Sequence, residues 1–173
     1  MKVSTLFLCI ALFLTTGCDS SDPEDQNPTT GSFTLTVSGD VNKTVSSNLA
    51  TFGTGLGPSA GDAAFGLNFG SATDVFSFAR ISGQPGTGTF NVQDVLNTNE
   101  DDWLSDEFGA TYLDDTAGLY ASVSGSITIT RSEDNVMEGT FSVSLENFDT
   151  NDPSSIAITG EFVAIGLTFN PGG

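Results

Sequence analysis

The chain has 173 residues, with 22 Asp or Glu against four Lys or Arg and no histidine, for a net charge of −18. So few cations cannot form the basic patch that nucleic-acid phosphates require, which excludes nucleic acid as a partner. Without imidazole the commonest general base, the Ser-His triads and the usual zinc sites are also gone.

Taken in chain order, Lys2 precedes an apolar run from Leu6 to Leu14 that ends in small residues. The run is far shorter than the ~20 residues a spanning helix needs. A charged start, a short apolar stretch and a small-residue end together predict a secretory signal peptide over residues 1–17. The segment Leu14-Thr15-Thr16-Gly17-Cys18 resembles the lipobox of bacterial lipoproteins. The resemblance implies that Cys18 becomes the lipidated N-terminus, so that the bilayer is a partner. It also implies a cell-envelope address, on the periplasmic or surface-facing side of an outer membrane in preference to the inner one. Cys9 would leave with the signal, so Cys18 serves as an anchor and no internal disulfide is expected. Lys2 would leave too, making the mature chain one charge more negative.

Residues 18–31 then read as a lipidated acidic tether. Asp19, Asp22, Glu24 and Asp25 stand among prolines with no large apolar side chain, so there is nothing to bury and disorder is expected. By random-coil scaling such a tether reaches roughly 20 Å, enough to hold a domain just off a bilayer.

From Ser32 to Gly173 the pattern is strand after strand. Phe33, Leu35 and Val37 alternate with Thr34, Thr36 and Ser38; Phe65, Leu67 and Phe69 alternate with Gly66 and Asn68; Phe76 and Phe78 repeat the period. The odd positions Leu119, Ala121, Val123, Ile127 and Ile129 form one long run, with Gly125 placed for a bulge. Phe141, Val143 and Leu145 follow, then Ile156, Ile158 and Phe162. Period two places one face in a core and the other in solvent. Turn signals at Gly39-Asp40, Gly83–Gly86, Ser132–Asn135 and Asp149–Pro153 punctuate the runs. Only Asn91 to Phe108 lacks alternation, and a helical turn is expected around Val92–Leu96 and Trp103–Phe108. The prediction is an all-β domain over residues 32–173, a single antiparallel β-sandwich with a closed antiparallel β-barrel as the alternative.

The stretches Ser124–Thr130 (SGSITIT), Glu138–Val143 (EGTFSV) and Ile158–Phe162 (ITGEF) resemble the C-terminal strands of small bacterial lipoproteins of uncharacterised function, and Gly88-Thr89-Phe90 resembles an earlier element of theirs. That resemblance implies a β-fold and an envelope address, and it carries no catalytic residue.

Two loops invite a calcium test. Asn97, Asn99 and Asp101 present oxygen at positions one, three and five of an EF-hand pattern, but Asp102 stands where glycine is needed and Phe108 where a bidentate Glu is needed. Asp149-Thr-Asn151 begins alike and breaks at Pro153. Asn97, Asn99, Asp101 and Asp102 therefore remain candidates for an irregular Ca²⁺ site, beside the plainer reading of hydrated acidic loops. Gly55-Leu-Gly57-Pro-Ser-Ala60 formally fits a dinucleotide fingerprint, but Pro58 removes a backbone donor and no helical pattern follows. Carboxylate pairs suited to glycoside hydrolysis are available among the acids, yet no motif selects one. Trp103, Tyr112 and Tyr120 are the amphipathic aromatics that a sugar site would use for stacking, and the plainer reading makes them core plugs. The expectation is a non-catalytic binding or structural lipoprotein that engages an envelope protein or glycan, without a required cofactor.

Overall fold

The computed structural model describes residues 28–56, 63–98, 106–149 and 151–167. Its ten strands are β1 (Ser32–Gly39), β2 (Lys43–Ser47), β3 (Ala50–Leu56), β4 (Ala63–Gly70), β5 (Asp74–Arg80), β6 (Gly88–Val92), β7 (Gly109–Asp114), β8 (Gly118–Glu133), β9 (Val136–Asn147) and β10 (Ser155–Gly166). No helix occurs among the described residues. Around Val92–Leu96, where a helical turn was expected, β6 ends and Val95–Asn97 form a single turn. There the Val95 amide donates to the carbonyl of Ser122, 2.8 Å away, so the segment's hydrogen bonding is spent on β8 and not on an i→i−4 ladder.

Seven strands close on themselves in the order β3–β4–β5–β7–β8–β9–β10 and back to β3. Six of these contacts are antiparallel. The seventh, where Ile165 and Gly166 of β10 meet Thr51 and Phe52 of β3, is parallel. An odd number of strands cannot alternate direction all the way round, so one parallel pair is a topological necessity. Of the two architectures expected, the closed barrel is the one formed, and closure removes the exposed edges that an open sheet would carry. Three strands lie outside the ring: β1 pairs with β10, β2 with β1, and β6 with β8.

Rings from opposite walls fill the interior. Phe69 lies 5.4 Å from Phe33, 5.2 Å from Phe162, 5.6 Å from Phe141, 5.9 Å from Phe76 and 6.4 Å from Phe78, ring centre to ring centre. Room for this stack comes from Gly160, which shares the inward face of β10 with Ile156, Ile158 and Phe162. A Cβ at Gly160 would stand 2.5 Å from Phe141 Cζ and 2.7 Å from the Thr34 carbonyl oxygen.

The odd positions of β8 do not all face inward. Between Ser122 and Ser124 the pairing with β9 slips, and the face reverses across that bulge. Before it Tyr120 and Ser122 are buried and Leu119 is exposed; after it Ile127 and Ile129 are buried. Gly125 follows at φ +148°, and any Cβ there would stand 2.5 Å from the Ser142 carbonyl oxygen. The bulge also has a polar staple. The buried Ser122 hydroxyl accepts from the Ala110 amide (3.0 Å) and donates to the Gln93 carbonyl (2.8 Å). The β8–β9 hairpin turns at Asp134 and Asn135 with φ 50° and 63°, the two positive φ values of the tight turn that suits twisted strands.

Candidate functional site

Three charged side chains occupy inward-facing positions at one end of the barrel. Alternation puts Lys43 on the face of Val45, Asp74 on the face of Phe76 and Phe78, and Asp114 on the face of Ala110 and Tyr112. Asp74 and Asp114 are direct cross-strand partners between β5 and β7. Like charges so placed repel, and the Lys43 ammonium answers both: its Nζ lies 2.5 Å from Asp74 Oδ1 and also contacts Asp114 Oδ2. The carboxylates are almost wholly buried, with side-chain exposures of 5% and 1%, while Lys43 retains 29%.

Each carboxylate has further donors. The Tyr112 hydroxyl donates to Asp74 Oδ1, and the hydroxyls of Ser71 and Thr73 donate to Oδ2 at 3.2 and 2.7 Å. Asp114 Oδ1 accepts from the Thr116 amide (2.8 Å), the Thr116 hydroxyl (2.7 Å) and the Ala117 amide (2.8 Å). Burial alone would raise both carboxyls. The hydrogen bonds from Lys43, joined by Tyr112 and Thr73 at Asp74 and by Thr116 and Ala117 at Asp114, outweigh it and hold both below the ordinary carboxylate range. Burial would likewise lower Lys43, but bonding to Asp114 and Asp74 carries it above its ordinary value. Tyr112 is raised, by burial first and then by its bond to Asp74.

On the outside of the same end, apolar side chains are exposed in a row. Val75 pairs with Leu113, and Leu113 with Leu119; the Phe148 amide donates to the Leu119 carbonyl at 2.8 Å. At the row's other end Gly70 pairs with Val75 and donates its amide to the Leu49 carbonyl. All five side chains are exposed, Leu113 by 48% and Phe148 by 58%. Phe148 also lines a groove of about 420 Å³ together with Leu96, Asn97, Asp149 and Asp152.

That groove unites two stretches singled out from the sequence. Asn97 lines it together with Asp149, Asp152 and Pro153. Asn97 is engaged locally: its amide donates to Asp94 Oδ1 at 2.9 Å and its side chain to Asp94 Oδ2 at 2.8 Å. Tyr112 and Tyr120 are cross-strand partners with ring centres 6.4 Å apart. Both are buried, at 0% and 2% exposure, so neither presents a ring face on which a sugar could stack. Asn99, Asp101, Asp102, Trp103 and Cys18 lie outside the described residues. Among the described residues no group of three His, Cys, Asp or Glu side chains is arranged to hold a metal ion.

Sequence reading passed over Lys43, Asp74 and Asp114. Their signal was there: each continues a buried alternation, where a charge demands a partner. The other two bases of the domain also have specific positions. Arg80 lies over Phe90 and Phe108, each 5.4 Å from its Cζ, and Arg131 reaches Glu138 at 3.2 Å. Compared with protein-family models, curated proteins and solved structures, the chain matches none.

Proposed function

We propose that the protein is a lipid-anchored, extracytoplasmic binding module that acts without catalysis, held to the envelope through Cys18 and engaging a partner with the loop end of its barrel. The observation carrying this reading is the exposed row Leu49–Val75–Leu113–Leu119–Phe148, since a soluble surface rarely leaves apolar side chains contiguous without a use for them. The interior is taken up by the phenylalanine stack, so recognition falls to the outer surface. Acidic side chains flank the row at Asp115, Asp149 and Asp152, all exposed. A fitting partner is therefore an envelope protein with an apolar strip edged by Lys or Arg.

A second reading, a calcium- or glycan-binding module, draws on the convergence of Asn97 with the Asp149 loop on one groove beside Phe148. A photo-crosslinking residue placed at position 113 in cells tests the first. Capture of a defined envelope protein, lost in Leu119→Ser with Phe148→Ser while the fold persists, supports it; capture unchanged by those substitutions overturns it.

A further inference from the structure

We propose that the outward face of the wall β2–β1–β10–β9–β8–β6 is a second binding site, for a neutral polysaccharide, centred on a groove beside Glu161 and Glu138. It shares no residue with the apolar row of the loop end and does not depend on the partner assigned there.

Strand register brings hydroxyls into line across all six strands. One row runs Thr44, Thr36, Thr159, Ser142, Ser126, Asn91, each paired with the next. Two residues along, a second row runs Ser46, Thr34, Glu161, Thr140, Thr128, Thr89. Antiparallel strands lie about 4.8 Å apart, so each row is roughly 24 Å long. All twelve side chains point outward, exposed except for the half-buried Ser126 and Thr128. Branching at Cβ stiffens the threonines, and cross-strand bonds fix others. Ser46 Oγ donates to Thr34 Oγ1 at 3.0 Å, and the hydroxyls of Thr89 and Thr128 meet at 3.0 Å.

Strand propensity explains threonine at these positions but not their lack of charge. The chain carries 22 acids, yet only one of the twelve positions, Glu161, is acidic and none is basic or apolar. Protein partners are held by buried aromatic, apolar or charged anchors, which these rows do not offer. Hydroxyls both donate and accept, so the rows match a ligand that is itself an array of hydroxyls.

A groove of about 390 Å³ opens in the same face, lined by Ser32, Thr34, Thr130, Thr140, Glu138 and Glu161. Glu161 pairs with Thr140, so Glu138 is its diagonal neighbour on β9, about 7–8 Å away by strand geometry. That gap is on the scale of one pyranose ring. The two carboxylates accept from sugar hydroxyls in charge-assisted bonds, the stronger kind, while the threonine hydroxyls donate back. Glu138 is held in place by Arg131 Nη1 at 3.2 Å. Neutral hydrogen bonds each contribute little after desolvation, so the ligand is a chain crossing several strands and not a single sugar.

Affinity electrophoresis of the full chain in a polyoxyethylene detergent tests the site. The native gels are cast with dextran, laminarin or galactomannan, and with alginate as the anionic control. At least one neutral polysaccharide should retard the protein, increasingly with its concentration, and alginate should not. Glu161→Ala with Thr140→Val should abolish the retardation, and Thr34→Val alone should weaken it at least twofold, with the fold checked by circular dichroism. Thr54→Val, at an exposed hydroxyl of β3 outside the rows, should leave it unchanged. No retardation by any neutral polysaccharide, or retardation that survives both the double change and Thr34→Val, overturns the proposal. Loss of retardation in Phe148→Ser would place the sugar in the Asn97 groove and overturn it equally.

Discussion

Asp74 and Asp114 face each other across β5 and β7 with the single ammonium of Lys43 between them. Two buried carboxylates in register are tolerable only because that cation, a tyrosine hydroxyl and the donors of the β7–β8 turn converge on them. Lys43→Met removes the cation and strands both acids, and the loss of a partner from a buried pair costs about 3–5 kcal/mol. Equilibrium urea unfolding should show a drop of that size; a midpoint unchanged from the wild type would contradict the role given to Lys43.

The same cluster sets an acid limit. Asp114 has a folded pKa below its ordinary 3.8, so its stabilisation is complete above that value and is lost as pH falls below it toward the folded value. Urea midpoints should be level in this respect from neutrality down to about pH 5 and then fall below about pH 4. In Asp114→Asn the acid-side fall should be shallower. Parallel curves for the two proteins below pH 4 would show that other carboxylates govern the acid limb.

Phe69 is the hub of the interior, in contact with rings from β1, β5, β9 and β10. Phe69→Ala should cost about 3–5 kcal/mol, since it removes transfer energy and leaves a cavity that surrounding strands cannot collapse. Because the rings span both walls, near-ultraviolet circular dichroism and the far-ultraviolet signal should be lost in one transition. Separate transitions would mean that the walls are held independently.

With 22 acids against four bases in the chain, exposed carboxylates repel one another. Raising NaCl shortens the Debye length from about 10 Å at 0.1 M to about 3 Å at 1 M, so the Tm should climb gradually with salt. At matched ionic strength calcium should add little. A saturable rise at low calcium, following binding linkage and removed by Asp101→Asn with Asp102→Ala, would instead make the Asn97 loop a metal site.

Cys18→Ser should release the protein from membranes or leave its precursor unprocessed. A single acyl chain binds only marginally, whereas two or more, at about 0.8 kcal/mol per buried methylene, hold stably. Normal cleavage together with retention in membranes after a high-salt wash would contradict the anchor.

The alternation of apolar and polar residues was enough to specify strands, because period two is a property of neighbouring residues and of nothing farther away. Phe33–Val37, Phe65–Phe69, Phe141–Leu145 and Ile156–Phe162 were legible for that reason, and so was the all-β class. The same local rule failed on β8, where the bulge after Ser122 shifts the count by one and turns Leu119 outward. Ring closure was legible only as the alternative to a sandwich, because the choice depends on two residues of β10 meeting the start of β3, a contact between segments more than a hundred residues apart. For the polar cluster the sequence alone determined that Lys43, Asp74 and Asp114 share the parity of core positions. Only the tertiary structure decided that these three positions meet at one barrel end, because long-range strand pairing, and not spacing along the chain, brings one ammonium within reach of two opposed carboxylates.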